Sequence, residues 1–330
     1  MSSSAAPRVE ARKILIIVAI VQFVIGGWFS WTASHAKPRD LPVLVVSASE
    51  DLADSLRKAA PGAYEIATAA DADAADRKLK DRAAYGAFIA TPEGLELHVA
   101  SAASPTVAQT LTQQAQQLQN KPVAVTDVVP ADADDKHGSG MAMGFLPLLI
   151  TAVIAGLLFV LKVRDARAKL LGLVGFAVLS GLLSSLMLTH LSGVLPGNYF
   201  VNAGVVALLE LAMVGVITGF GSLVGPPGIA VGAVLMFVVG NPLSGMASAP
   251  EMLPQPLGAI GQFLPAGAAA TLFRSAGSFH GAGGGQPLLV LVVWSLIGLA
   301  LLFLSARRAA GRTAPEAAPA TEAPVTASVG

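Results

Sequence analysis

The sequence predicts an α-helical polytopic membrane protein: six transmembrane helices, with an extracytoplasmic α/β domain inserted between helices 1 and 2. Three observations carry this. Of 330 residues, 54% are hydrophobic and 13% charged, with a mean hydropathy of +0.66, outside the range of soluble globular domains. Long apolar runs recur along the chain. Charge is also segregated, because 15 of the 21 acidic and 10 of the 21 basic residues fall between Lys37 and Lys136, although the whole chain is neutral. That stretch reads as soluble and mildly acidic. Cysteine is absent, which excludes a disulfide framework, thiolate chemistry and Cys-ligated zinc.

A span needs about 20 apolar residues, since a helix rises about 1.5 Å per residue through a hydrocarbon core about 30 Å thick. Ile14–Trp31, Met141–Leu161, Leu170 to about Thr189, Val201 to about Val224 and Pro287–Ser305 meet that length with few or no charges. A sixth, Ile229–Gly240, has only 12 residues before Asn241-Pro242. To cross, it must recruit flanking residues such as Leu243–Ala247 or thin the bilayer. Basic flanks stay cytoplasmic. Arg8, Arg12 and Lys13 precede the first span, Lys162, Arg164, Arg167 and Lys169 join the second to the third, and Arg307, Arg308 and Arg312 follow the last. Residues 1–13 and 307–330 are therefore expected inside, and residues 32–140 outside. Ser34-His35-Ala36 also fits a signal-peptide cleavage site. A retained anchor is favoured because the apolar stretch, about 18 residues, is longer than a usual signal core.

Between the first two spans the hydrophobic pattern changes to short strands alternating with amphipathic helices. Leu41–Ser47 reads as a buried strand, and Ser49 as the cap of a helix that begins with Glu50 and Asp51 and stops at Pro61-Gly62. A strand at Tyr64–Thr68, a helix at Ala72–Ala83, strands at Tyr85–Ala90 and Leu95–Val99 around a turn, a helix from Ser104-Pro105 and a strand at Val123–Val129 complete an α/β domain. It holds no catalytic constellation. His98 reads as structural or solvated, Asp132, Asp134, Asp135 and His137 as a solvated linker rather than a metal site, and Gln109, Gln113, Gln116 and Gln117 as a solvent-facing helix surface. No metal and no cofactor are expected.

The membrane half has no GxxxxGK[ST] loop, because Gly281–Gly285 is followed by Gln286 and Pro287 without the lysine and hydroxyl that grip phosphate and magnesium. HExxH and GxSxG are missing too, so the chain is not expected to be an enzyme. Glu210, near the middle of the fourth span, costs about 2.5–3.5 kcal/mol on insertion scales and should face the bundle or a cavity. It is either a proton-relay group or a carboxyl that pins helices through hydroxyls such as Ser180, Ser184 or Ser185; the second is favoured. Gly215 with Gly219, Gly221 with Gly225, and Gly228 with Gly232 have the spacing that lets helix backbones approach.

Asn241–Gln286 is broken by Pro242, Pro250, Pro254, Pro256 and Pro265 yet carries Met252, Leu257, Ile260, Phe263, Leu272 and Phe273. Proline interrupts a continuous helix and the apolar residues avoid water. The segment therefore reads as a re-entrant pair of short helices dipping into the outer leaflet. Arg274, at the end of the helix that Pro265 begins, would snorkel to headgroups or pair with Glu251. Arg312–Gly330, rich in Pro, Ala and Thr without periodicity, reads as a disordered tail.

Taken together, the N-terminal span, the outward α/β domain, the junction DDKHGSGMAMGFLPLLITAVIAG, the basic loop KVRDARAK and the Pro-rich segment before the last span resemble the type-2 ABC exporter permeases, and within them the Pip/YhgE (phage infection protein)-like branch of bacterial membrane proteins. The resemblance implies a dimer served by separate ATPase subunits docking on the cytoplasmic side. Carried over, Lys162, Arg164, Asp165, Arg167 and Lys169 would form the docking loop, and Pro265–Arg274 the outer re-entrant helix. The implied function is a permease-like subunit that exports a hydrophobic or amphipathic substrate from a bacterial plasma membrane. The implied partners are a second permease copy or a related subunit, an ATPase and lipid, but no nucleic acid. Two alternatives stay open: an envelope scaffold or receptor acting through the outward domain, and a proton-coupled transporter working through Glu210.

Overall fold

A computed structural model describes residues 5–46 and 51–313. Ser49 and Glu50, expected to open the second helix, and residues 314–330 of the expected tail lie outside the described residues. The first described element is helix α1 (Ala5–Ser34), which is apolar on every side from Ile14 to Val24 and exposes those side chains all round. A helix of this kind needs lipid or a partner against it. Only its last turns touch the rest of the chain: Trp28 Nε1 donates to the Val238 carbonyl at 2.9 Å, and Phe29 meets Phe237.

Residues 41–127 form a five-stranded sheet in the order β2-β1-β3-β4-β5. The strands are β1 (Leu41–Val46), β2 (Tyr64–Thr68), β3 (Gly86–Thr91), β4 (Gly94–Val99) and β5 (Ala124–Asp127). β1 pairs in parallel with β2 and β3, β3 and β4 form an antiparallel hairpin, and β5 runs parallel to β4. Helices α2 (Asp51–Ala59) and α4 (Pro105–Gln119) cover one face, where Leu56, Val107 and Leu111 pack on Leu41, Val43, Phe88 and Leu97. Helix α3 (Ala72–Lys80) covers the other, with Ala75 and Leu79 on Leu44, Ala87 and Ile89. Burial on both faces explains why β1 reads as an unbroken apolar run. Side chains fix the helix starts: Asp71 accepts from the Ala74 amide at 2.7 Å, and Ser104, followed by Pro105, accepts from Val107 at 3.2 Å.

The apolar half has helices α5 (Ser139–Lys162), α6 (Ala166–Leu191), α7 (Tyr199–Val224) and α11 (Gly285–Thr313). With α1, these are the five helices among the described residues that are long and apolar enough to cross a membrane. α7 is the axis of the bundle, since 67% of its apolar window is buried against 22–33% in α5, α6 and α11. Two of the glycine pairs serve packing within the chain: Gly215 and Gly219 lie against Gly298 and Leu301 of α11, and Gly228 and Gly232 against Phe220 and Ile217, whereas Gly225 has open space around its Cβ position. α11 continues to Thr313, so Arg307, Arg308 and Arg312 lie on helix rather than in an irregular tail.

The expected fifth span differs. Gly225, at φ 79°, turns the chain directly into α8 (Pro226–Val239), an apolar helix of 14 residues, about 21 Å long at about 1.5 Å per residue. Leu243–Ala247 do not lengthen it. Asn241-Pro242 stops the helix, and the chain turns back with Leu243 and Met246 buried. It then forms a ledge made of a single 3₁₀ turn (Pro250–Met252), α9 (Leu257–Gly261) and α10 (Pro265–Ser278).

This ledge clasps the sheet. Ala249 and Met252 join the core under α2 and α4, while Phe279 joins the core under α3. The backbone is tied as well: the amides of Lys37 and Arg39 donate to the carbonyls of Met252 (2.8 Å) and Glu251 (3.0 Å).

Asp135 corrects the solvated-linker reading. It is 8% exposed, and its two carboxylate oxygens accept from the amides of Gly140 (2.8 Å) and Met141 (2.7 Å), the first turn of α5. A carboxylate is favoured there because the first amides of a helix lack internal partners and carry partial positive charge. Asp135→Ala is expected to cost about 1–2 kcal/mol and to speed amide hydrogen exchange across residues 139–143, with Asp135→Asn closer to wild type.

Candidate functional site

A cavity of about 690 Å³ lies between the sheet and the ledge. The turn before β3 sends Arg82 and Tyr85 into it. The ledge supplies Glu251, Phe263 and Arg274, and the start of α11 supplies Gln286. Tyr85 donates its hydroxyl to Glu251 Oε2 at 2.8 Å. Burial, and then the neighbouring Glu251 carboxylate, push the Tyr85 phenol far above its ordinary range, so it stays protonated and serves as the donor. Arg82 donates from Nη1 to the Thr271 carbonyl at 3.0 Å and lies over the Phe279 ring, its guanidinium carbon 5.3 Å from the centroid. Burial lowers its pKa below the ordinary arginine value, yet a guanidinium remains charged in proteins.

Arg274 departs from expectation. It is 6% exposed, and its Nη2 donates to the carbonyls of Gly245 (3.1 Å), Met246 (2.6 Å) and Ser248 (3.4 Å). It neither snorkels nor forms an ion pair with Glu251. Among the described residues the ion pairs are Arg57–Asp54 and His98–Asp76. The reason is geometric, because the turn after α8 points three carbonyls at one spot and a guanidinium satisfies them together. Pro265 begins α10, where its missing amide hydrogen costs nothing.

The proposed docking loop is shorter than the sequence suggests. Only Val163, Arg164 and Asp165 lie between α5 and α6. Asp165 caps α6 by accepting from the Ala168 amide at 2.7 Å, and Lys169 donates to Ser222 Oγ at 2.9 Å, tying α6 to the end of α7. Lys162, Arg164 and Arg167 are exposed. Glu210 is fully buried; Ser180 Oγ donates to its Oε1 at 3.2 Å, and among the described residues its Oε2 has no partner. Of the three hydroxyls expected around it, Ser180 alone bonds it among the described residues, and among these Ser185 Oγ is itself buried with no partner.

In the sheet, His98 meets Asp76 of α3 at 2.6 Å, a tie between strand and helix. Gln109, Gln113, Gln116 and Gln117 are exposed. Among the described residues no three His, Asp or Glu side chains converge to hold a metal ion.

Sequence reasoning singled out Arg274 and Glu251 but missed Arg82 and Tyr85. These groups are separated by more than 160 residues in the chain, and no local spacing joins them. The available signal is an arginine and a tyrosine placed where a helix feeds a buried strand.

Five apolar helices of membrane length, with a mixed sheet between the first and the second, define the class: a multi-pass helical membrane protein. Beyond that class the comparisons are silent, since no family model, curated protein or solved structure matches the chain.

Proposed function

We propose that the protein is a permease-like subunit of an ATP-driven exporter, moving a hydrophobic or amphipathic substrate with energy from a separate ATPase. The observation that carries this reading is the division between the two ends of the bundle. At one end the sheet, ledge and cavity lie together. At the other, Arg164 in the turn and Arg167 in the first turn of α6 are exposed, while Asp165 and Lys169 beside them are held by hydrogen bonds. The course of α8 supports a sixth crossing. Its Ile229 lies beside Gly221, against which Val160 also packs, at the basic end, whereas Val238 is bonded by Trp28 at the sheet end. On this reading the basic end and both termini are cytoplasmic, residues 32–140 are outside, and a second permease copy or related subunit completes the transporter.

The test is purification of the tagged protein from its native host in mild detergent, with mass spectrometry of what stays bound. A stoichiometric ATPase is expected, and joint Arg164→Gln and Arg167→Gln substitution should cut its recovery about tenfold, the loss of roughly 1.4 kcal/mol of interface energy. An isolated dimer, or one holding only envelope proteins, would sink the exporter reading. It would favour an envelope receptor, which the cavity at the sheet end supports.

A further inference from the structure

We infer that the cavity between the sheet and the ledge binds the anionic headgroup of an amphiphile, a phosphate or carboxylate carried on an apolar chain. Three guanidiniums line it, and with Arg39 already bonded through both terminal nitrogens to the carbonyls of Lys37, Met252 and His35, two are left, Arg82 and Arg274. Among the described residues neither has a carboxylate within ion-pair distance, the ion pairs being Arg57–Asp54 and His98–Asp76. Each is held by the protein through one terminal nitrogen, Nη1 of Arg82 and Nη2 of Arg274. The remaining N–H groups of both have no bonded partner among the described residues, so a fork of donors is fixed in place and unspent. Carboxylate and phosphate oxygens match that fork.

The cavity's carboxylates equal its arginines in number, three of each, but not in placement. Glu251 is the ledge's one carboxylate in the cavity, and one of its oxygens is taken by Tyr85. Asp40 and Glu65 also line the cavity but are exposed, where water screens them. Gln286 and Pro287 bring the beginning of α11, a helix of 29 residues, to the cavity wall, and the first amides of a helix add partial positive charge. At Arg82 and Arg274, away from the two exposed carboxylates, the local field therefore favours an anion.

The apolar half of the ligand follows from the opening. Phe263, in the cavity wall, is 59% exposed, and Ile260, one turn earlier, is 48% exposed. They form an apolar step beside the first turns of α11, where a chain would lie while its headgroup reaches the arginines. The volume, about 690 Å³, is that of a small-molecule pocket. This inference does not depend on an ATPase partner and would hold for a receptor as well as for an exporter.

The experiment uses the full chain in a neutral maltoside detergent, with binding followed by calorimetry. Dioctanoyl phosphatidic acid should bind in a one-to-one ratio, and dioctanoylglycerol, the same chains without phosphate, should not. Arg82→Gln should weaken binding about tenfold, the worth of one charge-assisted hydrogen bond, while Arg82→Lys keeps part of it. A thermal melt shows that each variant is folded. Arg274→Gln is the less informative variant because three backbone carbonyls depend on that side chain. Saturable binding of inorganic phosphate, lost in Arg82→Gln, would support the anion site with a free anion as its source. Equal binding of dioctanoylglycerol, or undiminished binding in folded Arg82→Gln, would overturn the inference.

Discussion

A fragment comprising residues 37–136, expressed alone, is expected to lose the cooperative unfolding transition that the same residues show in the whole protein. The sheet does not own its full core. Met252 is 5% exposed and Ala249 fully buried on one face, and Phe279 is 3% exposed on the other. Burying a Met or Phe side chain contributes about 1.5–3 kcal/mol, against a total of about 5–15 kcal/mol for an ordinary domain. Removing both, together with two backbone bonds along Lys37–Arg39, takes away a large share of that total. Far-ultraviolet circular dichroism with a urea titration decides the matter. A broad transition with bound hydrophobic dye is the expected result. A sharp two-state transition in the fragment would show that the ledge is dispensable to the sheet.

Gly298→Leu should have the next largest effect. A Cβ placed at Gly298 would stand 2.7 Å from the carbonyl carbon of Gly215 and 2.9 Å from its Cα. These are backbone atoms at the centre of the contact between α7 and α11, and they cannot rotate aside. Overpacking costs about 1–3 kcal/mol where side chains adjust and more where a backbone must move. The thermal midpoint in detergent should therefore fall by roughly 5–10 °C. Gly175→Leu is the matched control, because nothing lies within 4 Å of the added Cβ, and its midpoint should stay near that of wild type. Were Gly298 part of a dimer face instead, the oligomeric state would change while the midpoint held.

What could be read from the sequence was whatever depends on neighbours in the chain. The unbroken apolar β1, the Ser104-Pro105 start of α4 and the strand pair around Thr91–Gly94 are local patterns, and the structure places elements there. So are the five long apolar helices. The short α8 was visible as a run that ends too soon, but whether Leu243–Ala247 lengthen it stayed open, because hydropathy cannot distinguish those residues as a continuing helix from the same residues in a buried turn. Asp135 was misread for a similar reason: a carboxylate that caps α5 and one that floats in a linker have the same sequence signature until the amides of Gly140 and Met141 are located. The cavity lies further still from what composition can reveal. It exists because Arg82, Glu251 and Arg274 come from segments that meet only after the ledge has closed on the sheet, and their chemistry is visible only as an arrangement.

The clasp of the ledge around the sheet also sets an order of events during synthesis. The sheet's last strand ends at Asp127, whereas Ala249 and Phe279 follow 122 and 152 residues later. At about 5–20 residues per second, the strands wait on the order of ten seconds for the residues that cover them, with apolar surface open on both faces. That interval is when the sheet is most open to aggregation and proteolysis. Its rate of maturation is then set by how soon the ledge is made and closes, more than by the strands themselves.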